Sequence, residues 1–559
     1  MPNEPVGAYV SSITFNNDVC FNVKPDDIVV FVGPNNAGKS QSLLDICRLA
    51  VSQRQTVVIS RIEVIKYAGK ISSLLEQISE GVKIRDHTNY KFMSWNWDIN
   101  EHTENYFQSK SDYYMFRELF IAKLDTVARL NICSPPQIIN RTANKQHPIH
   151  FAAFDSKYRV WLSDKFKQAF GHELIPNTQF GATVPLCIGD KVILNEEYAD
   201  EQERQEAYAN ILSEYKQVQN QGDGIKSFTG ILLYLMLKNY CTYLIDEPES
   251  FLHPPQARIM GQILGQSLSD HQQAFIATHS EEIIKGLLET CPQRVKIVRI
   301  TRHDDINEFS ILKNEDLETV WKDSLLRYSN IMSSLFYKNV ILCESDSDCK
   351  LYSIIEGHIR ETEGRYSETL FIHCGGKHRA AKVVNALRSL NISIKLILDI
   401  DVLNDEGVFK GIIEAVGENW ENYVRDYKQF SSNIIGSQKQ IRKNEIQTLL
   451  QSFGGEILSD DDIKKVSNAI RRPSKWNELK DMGTAAIPKG DAMKAFENMN
   501  VALKKAGVYL VPVGELEGFI SVVGGHGPEW VNRVLEEYPN LDAAQYDDIC
   551  KFVKEVCSS

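Results

Sequence analysis

Short apolar runs that end in polar residues mark the first half of the chain. The run at 27–32 (DIVVFV) is followed by glycine, and residues 39–50 carry leucine and isoleucine at helical spacing, so the pattern predicts strand, loop and helix. Runs at 242–245 and 274–277 predict two further buried strands, which end in DEP and THS. Parallel strands with polar residues at their carboxyl ends are typical of a doubly wound nucleotide-binding sheet. We therefore expect these three strand ends to lie together.

The strand pattern starts again after about residue 320, with apolar runs at 339–343, 370–373, 394–398 and 508–513. A charged, helical stretch at about 405–485 separates the last two runs, and residues 60–215 are aromatic-rich and polar without a clear motif. We predict an α/β fold in two domains. The first spans 1–320 with an insertion of several helices at about 60–215, and the second spans 321–559 with a helical insertion at about 405–485.

Composition favours a soluble protein. Of the 559 residues, 24% are charged and 43% hydrophobic, and no run of apolar residues is long enough to span a bilayer, so no membrane partner is expected. The start of the chain (MPNEPVGAYVSSITF) lacks the pattern of a secretion signal, and the 11 cysteines form no CxxC pair, which favours a cytoplasmic location with reduced thiols. The net charge of −12 does not decide nucleic-acid binding, because local charge does. Basic clusters at 439–443 and at Arg471, Arg472 and Lys475 either contact phosphates or form solvated helix faces.

A phosphate-binding loop follows the first strand. Residues 33–40 (GPNNAGKS) match G-x-x-x-x-G-K-[ST] without a mismatch, between a predicted strand and a predicted helix. In such a loop backbone N–H groups surround the phosphates, the lysine neutralises them and the hydroxyl ligates Mg²⁺. The predicted ATP-binding residues here are Gly33, Asn35, Asn36, Gly38, Lys39 and Ser40.

The second strand ends in two adjacent carboxylates that suit ATP hydrolysis. Asp246 is predicted to hold Mg²⁺ and Glu247 to polarise the attacking water. His279 ends the next strand and is predicted to lie near the γ-phosphate, although a lone histidine is more often structural. Intact motifs leave open whether ATP is hydrolysed rapidly or only bound as a gate.

This half of the chain resembles the ABC-type ATPases of the SMC and RecF group, which share the EPExxLHP stretch at 247–254 and a later histidine. The resemblance implies a signature motif that contacts ATP bound to the opposite protomer. Residues 221–227 (QGDGIKS) are similar to the divergent form of that motif, which makes Ser227 a candidate for contact with nucleotide. A glycine-rich helix cap is the alternative.

Carboxylates also end the strands of the second half. Glu344 ends one strand, Asp348 follows at the start of a helix, and Asp399 and Asp401 end another strand. Several hard oxygen ligands at one sheet edge suit Mg²⁺ or Mn²⁺. The arrangement resembles a TOPRIM domain, and the resemblance implies a metal-binding core of Glu344, Asp399 and Asp401, with Asp348 as an added ligand.

The stretch at 507–518 (GVYLVPVGELEG) resembles the closing strand of OLD-family (overcoming lysogenization defect) ATPase–TOPRIM nucleases. That resemblance implies a second metal site completed by Glu517, with Glu515 as the less favoured choice, and a lysine upstream that supports catalysis. Residues 488–491 (PKGD) are similar to the lysine segment, which assigns the role to Lys489, while Lys475, Lys480 and Lys494 are the competitors.

Five motif blocks in the expected order carry the OLD-family resemblance from about residue 7 to the end of the chain. It implies two-metal hydrolysis of DNA by an endonuclease or nickase, and a homodimer or higher oligomer formed through the ATPase domain. It also implies a role in bacterial defence against phage. Some members act beside a helicase, and others are retron effectors that a reverse transcriptase and its small DNA hold in check.

Two other hypotheses fit the same motifs. The first is an ATP-driven DNA-binding scaffold with an inactive TOPRIM domain, and the second is a TOPRIM primase, which the ATPase motifs make less favoured. Replacing Glu344 or Asp401 with alanine separates nuclease from scaffold, because only a nuclease has cleavage to lose.

Overall fold

The computed structural model describes residues 4–53, 55–194, 200–303, 306–312, 322–323, 330–436, 443–454, 458–470 and 475–558. The chain divides into two compact units, residues 1–322 and 323–559. Within the described residues no helix is long and apolar enough to cross a membrane.

The first unit contains fifteen strands and eleven α-helices among its described residues. The strands are β1 (Ala8–Phe15), β2 (Cys20–Asn22), β3 (Ile28–Val32), β4 (Ile59–Lys66), β5 (Gly81–Ile84), β6 (His87–Phe92), β7 (Trp95–Ile99), β8 (Ile121–Leu124), β9 (Glu173–Pro176), β10 (Leu186–Gly189), β11 (Lys216–Gln217), β12 (Thr242–Asp246), β13 (Gln273–Ala277), β14 (Val295–His303) and β15 (Ile306–Ile311). The helices are α1 (Lys39–Leu49), α2 (Ile71–Ile78), α3 (Glu101–Ser109), α4 (Arg117–Phe120), α5 (Thr126–Asn131), α6 (Pro148–Phe154), α7 (Ser156–Phe170), α8 (Glu201–Glu214), α9 (Asp223–Met236), α10 (Pro254–Ser267) and α11 (Glu281–Thr290).

A six-stranded sheet in the order β15-β14-β3-β13-β12-β8 forms the centre of this unit. Its strands run parallel except for β15, which pairs antiparallel with β14 at one edge. Every residue of β3 and β13 is buried, as expected for parallel strands covered on both faces. The predicted strands at 27–32, 242–245 and 274–277 are confirmed, and their carboxyl ends meet at one edge of the sheet.

The prediction of one helical insertion at 60–215 is wrong in its boundaries. Strand β8 lies inside that segment, yet it pairs with β12 in the central sheet. Strand β4 pairs with β1 in a separate three-stranded sheet. The remaining segment also contains two small antiparallel sheets, β5-β6-β7 and β11-β10-β9. A four-residue apolar strand such as β8 (IAKL) is too short to stand out in an aromatic-rich segment.

The second unit contains strands β16 (Asn339–Cys343), β17 (Thr369–His373), β18 (Ile394–Leu398) and β19 (Val508–Leu510). They form a parallel sheet in the order β17-β16-β18-β19. Its described helices are α12 (Asp346–Thr362), α13 (Lys377–Ser389), α14 (Glu406–Ala415), α15 (Val424–Gly436), α16 (Lys443–Gln451), α17 (Asp460–Ile470), α18 (Lys475–Met482), α19 (Asp491–Lys505), α20 (Gly527–Glu537) and α21 (Asp547–Ser558).

The core of this unit joins the sheet to α12, α20 and α21. Tyr352, Trp530 and Tyr546 are almost completely buried within it. The predicted helical insertion corresponds to the helices from α14 to α18, which lie between β18 and β19 in the chain. Of the basic clusters, Lys443 and Lys475 begin helices, and 439–442, Arg471 and Arg472 lie outside the described residues.

Candidate nucleotide and metal sites

The phosphate-binding loop connects β3 to α1, as the sequence predicted. Gly38 has a φ of 102° and stands immediately before the first residue of α1, a backbone conformation that favours glycine. A cavity opens over the loop. Its lining includes Asn35, Asn36, Gly38, Lys39, Ser40, Glu247 and His279. The structure therefore brings together predicted residues from three different strand ends.

Lys39 carries a positive charge that suits a phosphate ligand. Its Nζ donates hydrogen bonds to the carbonyl oxygens of Gly33 and Pro34 at 2.8 and 2.7 Å. Burial lowers the pKa of Lys39 to about 8, although the negative charges of Glu247, Glu249 and Asp246 act in the opposite direction. A bound triphosphate would supply the adjacent anion that a buried ammonium lacks.

Ser40 and Asp246 lie together as an Mg²⁺ site requires. The Ser40 hydroxyl donates to Asp246 Oδ1 at 2.8 Å, and burial raises the pKa of Asp246 against that hydrogen bond. A hydroxyl and a carboxylate at this distance provide two oxygen ligands for one hard cation beside the phosphates. The residues present therefore fit Mg²⁺ bound together with ATP.

Glu247 and His279 face each other across the cavity. His279 Nε2 lies 3.7 Å from Glu247 Oε1. Burial and the cationic Lys39 lower the pKa of His279, which favours the neutral imidazole. Glu247 has a φ of 46°, an uncommon conformation for a residue with a side chain. Strained backbone of this kind often occurs where a catalytic side chain is held in place.

Glu249, the last residue of the EPE motif, is a functional candidate to which the sequence pattern assigned no role. Its carboxylate accepts a hydrogen bond from Thr278 Oγ1 at 2.8 Å and another from the backbone N of His279 at 2.7 Å. Burial raises the pKa of Glu249 against these hydrogen bonds. The third residue of the EPE stretch therefore fixes the backbone that presents His279.

The position of Ser227 does not suit the predicted contact with a partner's nucleotide. Ser227 lies one turn inside α9, it is fully buried, and its Oγ has no hydrogen-bond partner among the described residues. Gly222 and Asp223 at the start of α9 are exposed instead. The glycine-rich segment therefore presents its first residues outward and buries the serine, because the helix begins before it.

The predicted metal-binding carboxylates meet at the carboxyl ends of β16 and β18. Glu344, Asp399 and Asp401 each place one ligand oxygen within 4.8 Å of the others. Glu344 Oε1 also accepts a hydrogen bond from the backbone N of Asp399 at 3.1 Å. Burial and the negative charge of Asp401 raise the pKa of Glu344 to about 7. Burial and the same carboxylates also raise the pKa of Asp399 well above its ordinary value.

A second group of possible ligands follows β19. Glu515, Glu517 and His526 offer ligand atoms within 4.8 Å of one another. Glu517 Oε1 accepts a hydrogen bond from the backbone N of Gly527 at 2.8 Å, and the His526 Nδ1 atom lies 3.7 Å from that oxygen. His526 was not predicted, because an exposed histidine nine residues after Glu517 matches no motif.

Asp348 has a structural partner besides its possible ligand role. Its Oδ2 accepts a hydrogen bond from the backbone N of Ser345 at 2.8 Å, which completes a capping box at the start of α12. Burial raises the pKa of Asp348, and the negative charge of Glu517 acts in the same direction. The side chain therefore lies close enough to the second group to feel its charge.

Two lysines approach these carboxylates, and neither is the predicted Lys489. Lys377 Nζ lies 2.9 Å from Asp401 Oδ2, and Lys480 Nζ lies 3.1 Å from Glu515 Oε2. Lys489 is exposed and forms no hydrogen bond or ion pair with the described residues. Gly514 helps to place Lys480, because its φ is 104° and a Cβ there would clash with the Lys480 carbonyl oxygen.

The donor set fits divalent metal. The raised pKa values of Glu344 and Asp399 indicate a shortage of positive charge, which Mg²⁺ or Mn²⁺ would supply when bound to oxygen ligands. Glu344, Asp399 and Asp401 would hold one ion. Glu515 and Glu517, with Asp348 or His526, would hold the second.

Two protein-family models match the chain. The AAA domain family AAA_21 matches residues 196–285, and the TOPRIM domain of overcoming lysogenization defect protein-like proteins matches residues 335–401. The second match includes the strand ends that carry Glu344, Asp399 and Asp401.

One relative is the "Old nuclease" of Escherichia phage P2. It is 24% identical over 303 residues, which cover 46% of this chain and 50% of that protein. This chain therefore spans about half the length of the relative.

Solved structures with some similarity include an Smc head bound to the C-terminal winged-helix domain of ScpA and the SMC head domain from Thermotoga maritima. The first is 14% identical with a TM-score of 0.32, and covers 55% of this chain and 99% of its own. The second is 13% identical with a TM-score of 0.29, and covers 56% of this chain and 99% of its own. Similarity this low supports no conclusion about this chain.

The motifs implied an ABC-type ATPase domain followed by an OLD-family TOPRIM domain. The match to an AAA domain, the match to an OLD-like TOPRIM domain and the similarity to a phage Old nuclease agree with that combination.

Proposed function

We propose that this chain is an ATP-regulated, divalent-metal-dependent DNA endonuclease or nickase. The observation that carries the proposal is the pair of ligand groups at the end of the TOPRIM sheet, one of Glu344, Asp399 and Asp401 and one of Glu515, Glu517 and His526. Two groups match the ligand requirement of two-metal phosphodiester hydrolysis. The printed name of the phage relative, a nuclease, supports the same activity.

In this mechanism two bound divalent ions would activate water on one side of the phosphodiester and stabilise the leaving 3′ oxygen on the other. The side chains of the site hold the ligand oxygens in place. Lys377 orients Asp401 through a contact with its carboxylate and through a hydrogen bond to its carbonyl oxygen at 3.1 Å. Lys480 lies beside Glu515 and adds positive charge where the phosphate becomes more negative in the transition state.

Replacing Lys480 with alanine is expected to lower the cleavage rate by about tenfold to a thousandfold, because removal of a group that stabilises developing charge typically has such an effect. Replacing Lys489 with alanine is the matched control and should leave cleavage unchanged. The measurement is single-turnover cleavage of plasmid by the two variants. Loss of cleavage in Lys489→Ala with full activity in Lys480→Ala would return the catalytic role to Lys489.

The ATPase domain is proposed to bind ATP with Mg²⁺ and to hydrolyse it, with Glu247 as the base. The cavity that joins Lys39, Ser40, Glu247 and His279 supports this role. A homodimer or higher oligomer through the ATPase domain is proposed from the family resemblance and from the exposed start of α9. ATP binding would then govern assembly, and assembly would govern cutting.

For the biological role we favour an effector of bacterial defence against phage that acts in the cytoplasm. The resemblance to OLD-family proteins supports this role. The same resemblance suggests a helicase, or a retron reverse transcriptase with its small DNA, as candidate partners.

The test is cleavage of supercoiled plasmid by the purified protein with Mg²⁺ or Mn²⁺, with and without ATP, beside an Asp399→Ala/Asp401→Ala double variant. Nicking or linearisation that the variant lacks supports the nuclease. DNA binding without cleavage in every condition would favour the scaffold hypothesis and contradict the proposed function.

A further inference from the structure

Arg129 in α5 is a buried cation that no motif of the sequence identified. Its side chain is completely inaccessible to solvent. Burial lowers the pKa of Arg129. The surrounding carboxylates raise it, and Asp246 makes the largest of these contributions. A buried guanidinium destabilises a fold unless hydrogen bonds satisfy it, so its partners indicate what it is for.

Two of the partners of Arg129 are backbone carbonyl oxygens at the end of β12, and Nη2 also donates to Thr126 Oγ1 at 3.4 Å. Nη1 donates to the carbonyl oxygen of Asp246, and to that of Leu124 at 3.2 Å. Nη2 donates to the carbonyl oxygen of Glu247 at 3.1 Å. The planar guanidinium thus holds the peptide groups of both carboxylates that were predicted to act on ATP.

Glu247 needs such support because its backbone is strained. Its φ is 46°, and its backbone N donates to the carbonyl oxygen of Ala277 at 2.8 Å. Strand β13 therefore holds one side of this peptide and Arg129 holds the other. Together they fix the direction in which the Glu247 carboxylate leaves the backbone, towards His279.

Arg129 also lies against the helix that begins with the exposed glycine-rich segment. A Cβ on Gly230 of α9 would clash with the carbonyl oxygen of Arg129. Just after the end of α5, Cys133 Sγ contacts the carbonyl oxygen of Lys226 at 3.2 Å. Contact this close means that a shift of α9 along its axis must move the backbone of Arg129.

Three buried polar atoms of these two helices have no hydrogen-bond partner among the described residues. They are Nε of Arg129 and the hydroxyl oxygens of Ser227 and Thr229. Buried polar groups are normally satisfied, and an unsatisfied group in a native structure can mark stored strain. The contact between α5 and α9 contains three such groups.

We propose that Arg129 is a positioning residue that couples the start of α9 to the orientation of Glu247. A partner protomer that contacts Gly222 and Asp223 would shift α9, and Arg129 would transmit the shift to the Glu247 peptide. ATP turnover would then depend on assembly, without any new group entering the cavity. The inference rests on the proposed hydrolysis of ATP by this site.

Arg129→Lys keeps the positive charge but loses the planar guanidinium, which donates hydrogen bonds from two nitrogens. We expect its kcat for ATP to fall by about tenfold to a hundredfold, because a small misplacement of a catalytic group has an effect of that size, while KM for ATP stays unchanged. Arg294→Lys is the matched control. Arg294 is also buried and bonds backbone carbonyl oxygens, those of Asp26, Leu268, Ser269 and Gln272, but these lie at the amino ends of the strands. We expect Arg294→Lys to lower the midpoint of thermal unfolding, as Arg129→Lys does, and to leave kcat unchanged.

Gly230→Ala approaches the same contact from α9 and should also lower kcat with KM retained. Equal kcat in wild type, Arg129→Lys and Gly230→Ala would overturn the inference, and so would parallel losses of kcat, nucleotide binding and thermal midpoint. A wild-type protein that binds ATP without turnover, alone and with DNA, would contradict the proposed function itself. The two failures are distinguishable. Failure of the inference leaves ATP turnover intact in the wild type and in both variants, whereas failure of the proposed function leaves no turnover in the wild type.

Discussion

Asp399→Asn is expected to abolish DNA cleavage and, at the same time, to stabilise the metal-free protein. Asp399 is half-buried beside Glu344, and its raised pKa means that folding disfavours its ionised form. Asparagine has the same shape without the charge, so the folded state gains stability wherever the aspartate would be ionised in the unfolded chain. The amide is a poorer ligand for a divalent ion, so cleavage should fall below detection.

The measurements are plasmid cleavage and thermal unfolding in EDTA and in Mg²⁺ or Mn²⁺. Metal should raise the midpoint of the wild type, because binding to the folded state stabilises it, and should raise that of Asp399→Asn much less. Asp405→Asn is the matched control. Asp405 caps α14 through hydrogen bonds from Gly407 and Val408, both at 3.0 Å, and asparagine caps a helix equally well. Cleavage by Asp399→Asn at the rate of Asp405→Asn would contradict the metal assignment.

Both candidate sites could be predicted from the sequence because their residues stand at the ends of buried strands. Asp246, His279, Glu344 and Asp399 follow apolar runs, and parallel strands bring their carboxyl ends to one edge. For these residues the local sequence pattern is therefore enough to predict their position in the fold. The phosphate-binding loop was predictable for the same reason.

Other residues reach the sites by routes that the strand pattern does not reveal, and among them Lys480 could be named only as a competitor of Lys489. Lys480 comes from the helical segment between β18 and β19, and its place beside Glu515 depends on the close approach of Gly514 to its backbone. Arg129 lies in a helix of six residues and donates hydrogen bonds to backbone carbonyl oxygens. Every residue type has such an oxygen, so the sequence carries no motif for this contact. Strand β8 has four residues and is defined by its pairing with β12.

Glu247→Gln is expected to retain ATP binding and to lower ATP turnover by about a hundredfold to ten-thousandfold, because it removes a general base and little else. Lys39→Ala should lose binding as well, since Lys39 supplies the positive charge of the loop. Nucleotide affinity and phosphate release measure the two effects separately. Glu214→Gln, the same substitution at an exposed position, is the matched control. Turnover by Glu247→Gln equal to that of Glu214→Gln would contradict the assignment of the base.

The same two variants decide how ATP controls cutting. If ATP binding alone permits cleavage, Glu247→Gln with ATP should cut DNA at least as well as the wild type, because the bound state persists. Lys39→Ala should then behave like the wild type without ATP. If each cut requires hydrolysis, both variants should lose the ATP-dependent part of cleavage. The comparison works because Lys39 and Glu247 line one cavity but act at different stages, binding and hydrolysis.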